Sequence, residues 1–186
     1  MSITYKEWQK QLRKRSGSPE YPDSAIRWKP DAINVPEALG YAAVSDVPGL
    51  SELTFLQRSL QNALNIQNQT TLKSISLPFL ETVSADLVLA ENAALTSLSA
   101  PVLRLPTHGT SVTGASLDFS GNALPASDID AIINRLALSL YSGVEYNLTI
   151  DFSGGTNAVP TAASSLARSS LYLGAASYAV TLAVAS

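Results

Sequence analysis

The sequence predicts an α/β solenoid: a right-handed coil on a parallel β-sheet, with two helices in its C-terminal coils and a helical and extended N-terminal arm. Three observations predict it. Residues 64 to 80, LNIQNQTTLKSISLPFL, return 23 residues later as LVLAENAALTSLSAPVL, and Leu64, Ile66, Leu72, Ile75, Pro78 and Leu80 recur as Leu87, Leu89, Leu95, Leu98, Pro101 and Leu103. A fixed period of this size marks stacked supersecondary units that bury their apolar faces on one another. LDFSGN at 117 to 122 is likewise repeated as IDFSGG at 150 to 155, 33 residues on, with a helical pattern between the copies. Finally, 46% hydrophobic residues against 15% charged ones can sustain a buried core over 186 residues.

The chain divides into an arm, residues 1 to 40, and a repeat domain, residues 41 to 186, with coils near 42 to 63, 64 to 86, 87 to 116, 117 to 149 and 150 to 186. In the arm, Tyr5, Trp8 and Leu12 fall at helical spacing among Lys6, Lys10, Arg13, Lys14 and Arg15, which predicts a short basic amphipathic helix. SGSPEYPDS at 16 to 24 reads as a turn-rich linker, and Pro30 and Pro36 prolong extended chain. A first, degenerate coil follows, with Ala42, Val44, Asp46, Leu50 and Leu53 aligning with Leu64, Ile66, Asn68, Leu72 and Ile75 at an offset of 22. In Leu64-x-Ile66 and Leu87-x-Leu89 the two apolar side chains point inward and the residue between them outward. Asn68 stands where a side-chain amide could serve backbone groups in the turn, in line with Asp46, Glu91 or Asn92, Asn122 and Asn157. Ser127 and Asp130 form an S-x-x-D capping box that starts a helix with the apolar face Ile129, Ile132, Ile133, Leu136 and Leu140. A second helix begins at Pro160 and runs toward Leu173, and Val180, Leu182 and Val184 alternate as a closing strand.

Charge is unevenly placed. Residues 1 to 30 carry seven Lys or Arg and three acids, net +4, whereas residues 31 to 186 carry five and twelve, net -7. A basic arm on an acidic body suits docking on an acidic protein surface. Cysteine is absent, which excludes disulfides, thiolate metal sites and cysteine nucleophiles. The charged start MSITYKEWQKQLRKR does not read as a cleaved leader, and the apolar stretch from Leu171 to Ala185 is too short and too interrupted to span a bilayer.

Catalytic patterns fail on composition. His108 is the only histidine and no G-x-S-x-G elbow occurs, so a Ser-His-Asp hydrolase has no basis, and His108 reads as a loop residue. GTSVTG at 109 to 114 lacks the lysine of a phosphate loop and reads as a flexible insertion. No cofactor or metal is expected. In the predicted register Asp118 and Asp151 stand side by side and outward; they could share a calcium ion or bind sugar hydroxyls, but solvated or turn-capping carboxylates are the stronger reading. The outward stripe Asn65, Gln67, Val88, Ala90, Asp118, Ser120, Asp151 and Ser153 is small and polar, and its polar members form the candidate ligand face. Aromatic anchors lie in the arm instead, where Tyr5, Trp8, Lys10, Leu12, Arg13, Lys14, Arg15, Tyr21 and Trp28 form the candidate partner-binding set. Whether the arm docks on a partner or caps its own first coil stays open, and five clustered basic residues are weak support for nucleic-acid binding.

The copies at 64 to 80 and 87 to 103 resemble bacterial and receptor-L-domain-like leucine-rich repeats. The stretch LDFSGNALPASDIDAIINRL, followed by LTIDFSGGTNAVPTAASSLARSSL, is similar to the C-terminal end of leucine-rich-repeat proteins encoded by bacteriophages and prophages. Together the resemblance spans residues 40 to 186. It implies a non-enzymatic virion component, tail-fibre-like or a decoration, made in the host cytoplasm and carried on the particle. Its partners would be other virion proteins, met through the arm and the C-terminal strand, and a glycan or host-surface ligand, with no membrane contact and with oligomerisation on the particle. A bacterial leucine-rich-repeat adhesin or interaction protein without a particle is the alternative. The chain departs from that group at its end, where SYAVTLAVAS replaces a Gly-Trp and an alternating polar strand. No functional residue carries over from the resemblance.

Overall fold

The computed structural model describes residues 3–4, 32–35, 43–45, 49–60, 63–83, 86–105, 112–140, 146–173 and 179–185. It is an α/β fold of parallel sheets and two helices. In chain order the elements are β1 (Ile3–Thr4), β2 (Ala32–Val35), β3 (Ala43–Ser45), β4 (Glu52–Phe55), β5 (Ser59–Leu60), β6 (Leu64–Ile66), β7 (Ser74–Ser76), β8 (Thr82–Val83), β9 (Leu87–Val88), β10 (Ser97–Ser99) and β11 (Val112–Asp118). Helix α1 (Ala126–Ala137), β12 (Tyr146–Phe152), a 3-10 turn (Ala162–Ser164), α2 (Ser165–Leu173) and β13 (Ala179–Val184) complete the chain.

Every pairing between these strands is parallel. The largest sheet has seven strands in the order β1-β3-β6-β9-β11-β12-β13; a second has the order β10-β7-β4-β2, and β5 pairs with β8. Successive segments thus visit the sheets in turn, β3-β4-β5 and then β6-β7-β8, and after β11 and β12 the helices follow instead. The registers reproduce the sequence offsets: Val44 pairs with Ile66 and Leu53 with Ile75 at 22, Leu64 with Leu87 and Ile75 with Leu98 at 23, and Asp118 with Asp151 at 33.

Strand alternation turns that register into a core. Leu64, Ile66, Leu87, Leu89, Leu117, Phe119, Ile150 and Phe152 are all at most 2% exposed, so the inward side of the seven-stranded sheet is continuous apolar packing. Leu53, Ile75 and Leu98 close it from the second sheet, and Ile129, Ile132, Ile133 and Leu136 from α1. Leu72, Ile75 and Leu80 fill the same interior from the return path of the coil, and that path is itself paired strand, a second and third sheet row that the repeat pattern did not announce.

Several local expectations are corrected. The capping box at Ser127 and Asp130 does not form: α1 starts at Ala126 behind Pro125, no side chain caps its first turn, and the Ser127 hydroxyl donates to Asp128 Oδ1 instead. The Asp130 carboxylate is drawn to the neighbouring segment, where it accepts from Thr161 N (3.0 Å), Thr161 Oγ1 and Ser164 Oγ (both 2.5 Å). The second helix accordingly starts after Pro160, with Thr161 capping the 3-10 turn that leads into α2. Val112 to Gly114, read as part of a flexible insertion, belong to β11, whose register slips between Thr113 and Ala115. The helix expected around Trp8, the linker at 16 to 24 and His108 lie outside the described residues. From residues 1 to 40, β1 and β2 are described, and they pair with β3 and β4 of the repeat domain.

Asp130 makes a pH prediction. Burial opposes its ionisation, but the hydroxyls of Ser164 and Thr161, the Thr161 N–H and the Arg168 charge outweigh it and hold the carboxyl below its ordinary value. A carboxylate depressed on folding stabilises the protein above its unfolded pKa, about 3.9, and that stabilisation fades as pH falls through the folded value. Asp130→Ala is expected to cost about 1 to 3 kcal/mol near neutrality through its unpaired donors. In urea titrations from pH 7 downward the gap between wild type and variant should narrow below about pH 4; a gap independent of pH would refute this role.

Candidate functional site

The candidate site is the outward face of the seven-stranded sheet, and its geometry follows from the strand registers. Asn65 pairs with Val88, Val88 with Asp118, Asp118 with Asp151 and Asp151 with Ala183, which sets one side chain from each of five neighbouring strands in a single row. Adjacent members are about 4.8 Å apart at Cα. A second row precedes it, with Ser116 beside Thr149 and Thr149 beside Thr181. The hydrogen bonds continue past the strand ends, Leu89 N to Asp118 O at 2.7 Å, Glu91 N to Ser120 O at 2.9 Å and Gly121 N to Ser153 O at 2.9 Å, so Ser120 and Ser153 stand next to each other one position beyond the core row.

Asn65 and Thr149 are exposed, and Gln67, Val88, Asp118, Ser120, Asp151 and Ser153 are half-buried. Ala90, expected in the outward stripe, is instead buried at 3%. The structure thus gathers Asn65, Asp118, Ser120, Asp151 and Ser153 on one face, with Gln67 at its margin beyond β6. The aromatic and basic arm residues, Tyr5, Trp8, Lys10, Leu12, Arg13, Lys14, Arg15, Tyr21 and Trp28, lie outside the described residues.

The two aspartates each commit one oxygen to their own turn. Asp118 Oδ1 accepts from Ser120 N at 2.9 Å and Asp151 Oδ1 from Ser153 N at 2.7 Å, the local bond that Asx side chains make two residues on. Asp86 Oδ1 similarly accepts from Ser116 N at 2.8 Å, across to the next segment. What the face offers a ligand is therefore an array of carboxylate and hydroxyl acceptors in fixed rows. Among the described residues no group of three or more His, Cys, Asp or Glu is placed to hold a metal ion, and none of their helices is long and apolar enough to cross a membrane.

Behind the face runs a feature the sequence located only in part. Asn92, Asn122 and Asn157 are buried, and each reaches back to the preceding segment: Asn92 Nδ2 donates to Ile66 O (3.0 Å), Asn122 Nδ2 to Leu89 O (2.7 Å) and Asn157 Nδ2 to Phe119 O (3.0 Å). Their oxygens accept from Gln69 N, Asn92 N and Leu124 N at 2.9 to 3.0 Å. Asn68, assigned this role from sequence, is exposed; it holds the left-handed corner at φ 58°, as Glu91 does at 56° and Gly121 at 67°. The correct reading was one residue later, where Gln69 and Asn92 align. At the last corner Gly155 has φ 60°, and an added Cβ would collide with the Asn122 carbonyl oxygen, so only glycine fits.

A cleft of about 220 Å³ lies between β10 and α1, where strand gives way to helix. Ser97, Ser99, Asp128 and Arg135 line it over an apolar floor of Leu98 and Ile132. Asp128 Oδ2 is occupied by the Leu98 N–H at 2.9 Å, while Arg135 Nε is buried without a hydrogen-bond partner among the described residues. Comparisons with protein-family models, with curated proteins and with solved structures returned no match.

Proposed function

We propose that the chain is a non-enzymatic recognition component of a bacteriophage particle, tail-fibre-like or a decoration, built as a right-handed solenoid of leucine-rich-repeat type. The observation that carries this reading is the division of roles across the seven-stranded sheet. Inward residues fill the core, the buried amides and Asp130 satisfy backbone and hydroxyl groups, and the outward rows hold small hydroxyl, amide and carboxylate side chains in register. Such a face suits a wet contact with sugar hydroxyls or a polar protein surface, and its low content of large anchors suits display in many copies. The solenoid assignment is supported by the regular offsets between paired strands. The phage assignment rests on LDFSGN and IDFSGG, which occupy paired positions in β11 and β12 and beyond. Residues 1 to 40, with their basic and aromatic content, supply the docking end.

The test has two parts. The chain should be found by mass spectrometry in purified particles released from cells that carry its gene; its absence from them overturns the particle assignment. Asp118→Asn combined with Asp151→Asn preserves the Oδ1 acceptors of both turns while removing two charges. Adsorption to host cells should fall about tenfold, equivalent to about 1.4 kcal/mol, with unfolding stability changed by less than about 0.5 kcal/mol. Unchanged adsorption would remove this face from the binding surface.

A further inference from the structure

Strand β10 stands last in the order of the second sheet, and α1 lies beside it across the cleft described above. The two walls of that cleft follow from local periodicity. On β10, Ser97 and Ser99 alternate outward around buried Leu98. On α1, Asp128, Ile132 and Arg135 follow at intervals of four and three residues, so they share one stripe of the helix, and that stripe lines the cleft. The rise of the helix sets Asp128 and Arg135 about 10 Å apart along its axis, toward opposite ends of the cleft.

The charged groups are unequally satisfied. Asp128 is engaged, with Oδ2 accepting from Leu98 N at 2.9 Å and Oδ1 from Ser127 Oγ at 3.1 Å, and each oxygen keeps a further lone pair. Arg135 is not. Its Nε is buried without a hydrogen-bond partner among the described residues, and no carboxylate of those residues lies within ion-pair distance of its guanidinium. A dry charged donor without a partner is unfavourable until an acceptor meets it.

We infer that this cleft binds one ring of a hexuronic acid, a sugar that carries a carboxylate. Arg135 takes the carboxylate, for which a guanidinium offers a fork of parallel N–H donors. Asp128 at the far end, with the exposed hydroxyls of Ser97 and Ser99, takes the ring hydroxyls, and the apolar floor of Leu98 and Ile132 receives the C–H face of the ring. Size limits the occupant: the cleft holds about 220 Å³, less than the ~300 Å³ at which pockets for drug-sized ligands begin, which suits a single ring. Charge selects among small anions. One guanidinium matches one negative charge, and Asp128 disfavours a phosphate, which brings more. A simple carboxylate would leave Asp128 and the serine hydroxyls unused. None of the residues lining the cleft belongs to the rows of Asp118 and Asp151, so this site stands or falls apart from that face.

Titration of the full chain followed by nuclear magnetic resonance tests it, with glucuronate and methyl glucuronide as probes of a free sugar and of a chain end. At least one of them should bind with a millimolar Kd and shift the Arg135 Nε–H signal. Glucose, which lacks the carboxylate, and inorganic phosphate should each bind at least about tenfold more weakly. Arg135→Gln should weaken uronate binding by about tenfold or more with cooperative melting retained. If that variant does not melt cooperatively, Ser99→Trp, which fills the cleft from an exposed position on β10, takes its place and should abolish binding. Failure of both uronates to bind, glucose or phosphate binding as tightly as they do, or uronate binding that survives Arg135→Gln or Ser99→Trp would each overturn the inference.

Discussion

Asn122→Ala is expected to lower stability by about 3 to 5 kcal/mol, from three buried backbone groups left without partners at about 1 to 3 kcal/mol each and less than additive. The groups are the carbonyls of Leu89 and Phe119, each 2.7 Å from Asn122 Nδ2, and the Asn92 N–H, 3.0 Å from Asn122 Oδ1. Asn122 is 0% exposed, so water does not reach these groups to replace the amide. Urea unfolding followed by circular dichroism measures the loss. Asn65→Ala, at an exposed outward position, is the control and should stay within about 0.5 kcal/mol. A loss at Asn122 no larger than the control would mean that the buried amides are not what ties the segments together.

Phe119→Ala should cost a similar amount, about 3 to 5 kcal/mol, through lost transfer energy and the cavity it leaves. Phe119 and Phe152 occupy neighbouring inward positions, their rings stacked with centroids 4.9 Å apart and planes within 15°. Both are at most 1% exposed. Stacking adds about 0.5 to 1.5 kcal/mol beyond burial, so Phe119→Leu, which fills most of the space but removes the ring, should recover the larger part of the loss. Calorimetric melting of the two variants separates the terms; a leucine variant as unstable as the alanine one would show that ring shape, not volume, dominates this layer.

How much of this was legible in the residues depends on the range of the interaction that decides each feature. The pairings of Leu64 with Leu87 and Asp118 with Asp151 could be read directly, because a repeat that stacks in register writes its spacing into the sequence. The inward face of α1 was legible for the same reason, through its 3.6-residue period. Asp130 was not. Three residues after Ser127 it fits a local cap, and only the approach of Thr161 and Ser164, 31 and 34 residues away, decides that its carboxylate turns outward from its own helix. In the amide ladder Asn122 and Asn157 were placed as observed and Asn92 was one of two options with Glu91, but Asn68 was one residue early, because sequence alone does not say which corner residue is left-handed. The outward rows were placed nearly as observed, Ala90 excepted, since strand alternation ceases just beyond β9. The cleft at Arg135 had no signature, because it exists where a strand row meets a helix.

Each buried asparagine serves the segment before its own, while Asn122 and Asn157 also donate to a carbonyl of their own segment. A segment therefore cannot finish its own hydrogen bonding; the residues that complete it are 23 to 38 positions further along the chain. On the ribosome this gives construction a direction and a lag: each layer stays provisional until the following one has emerged, and a synthesis pause matters most between a layer and the asparagine that completes it.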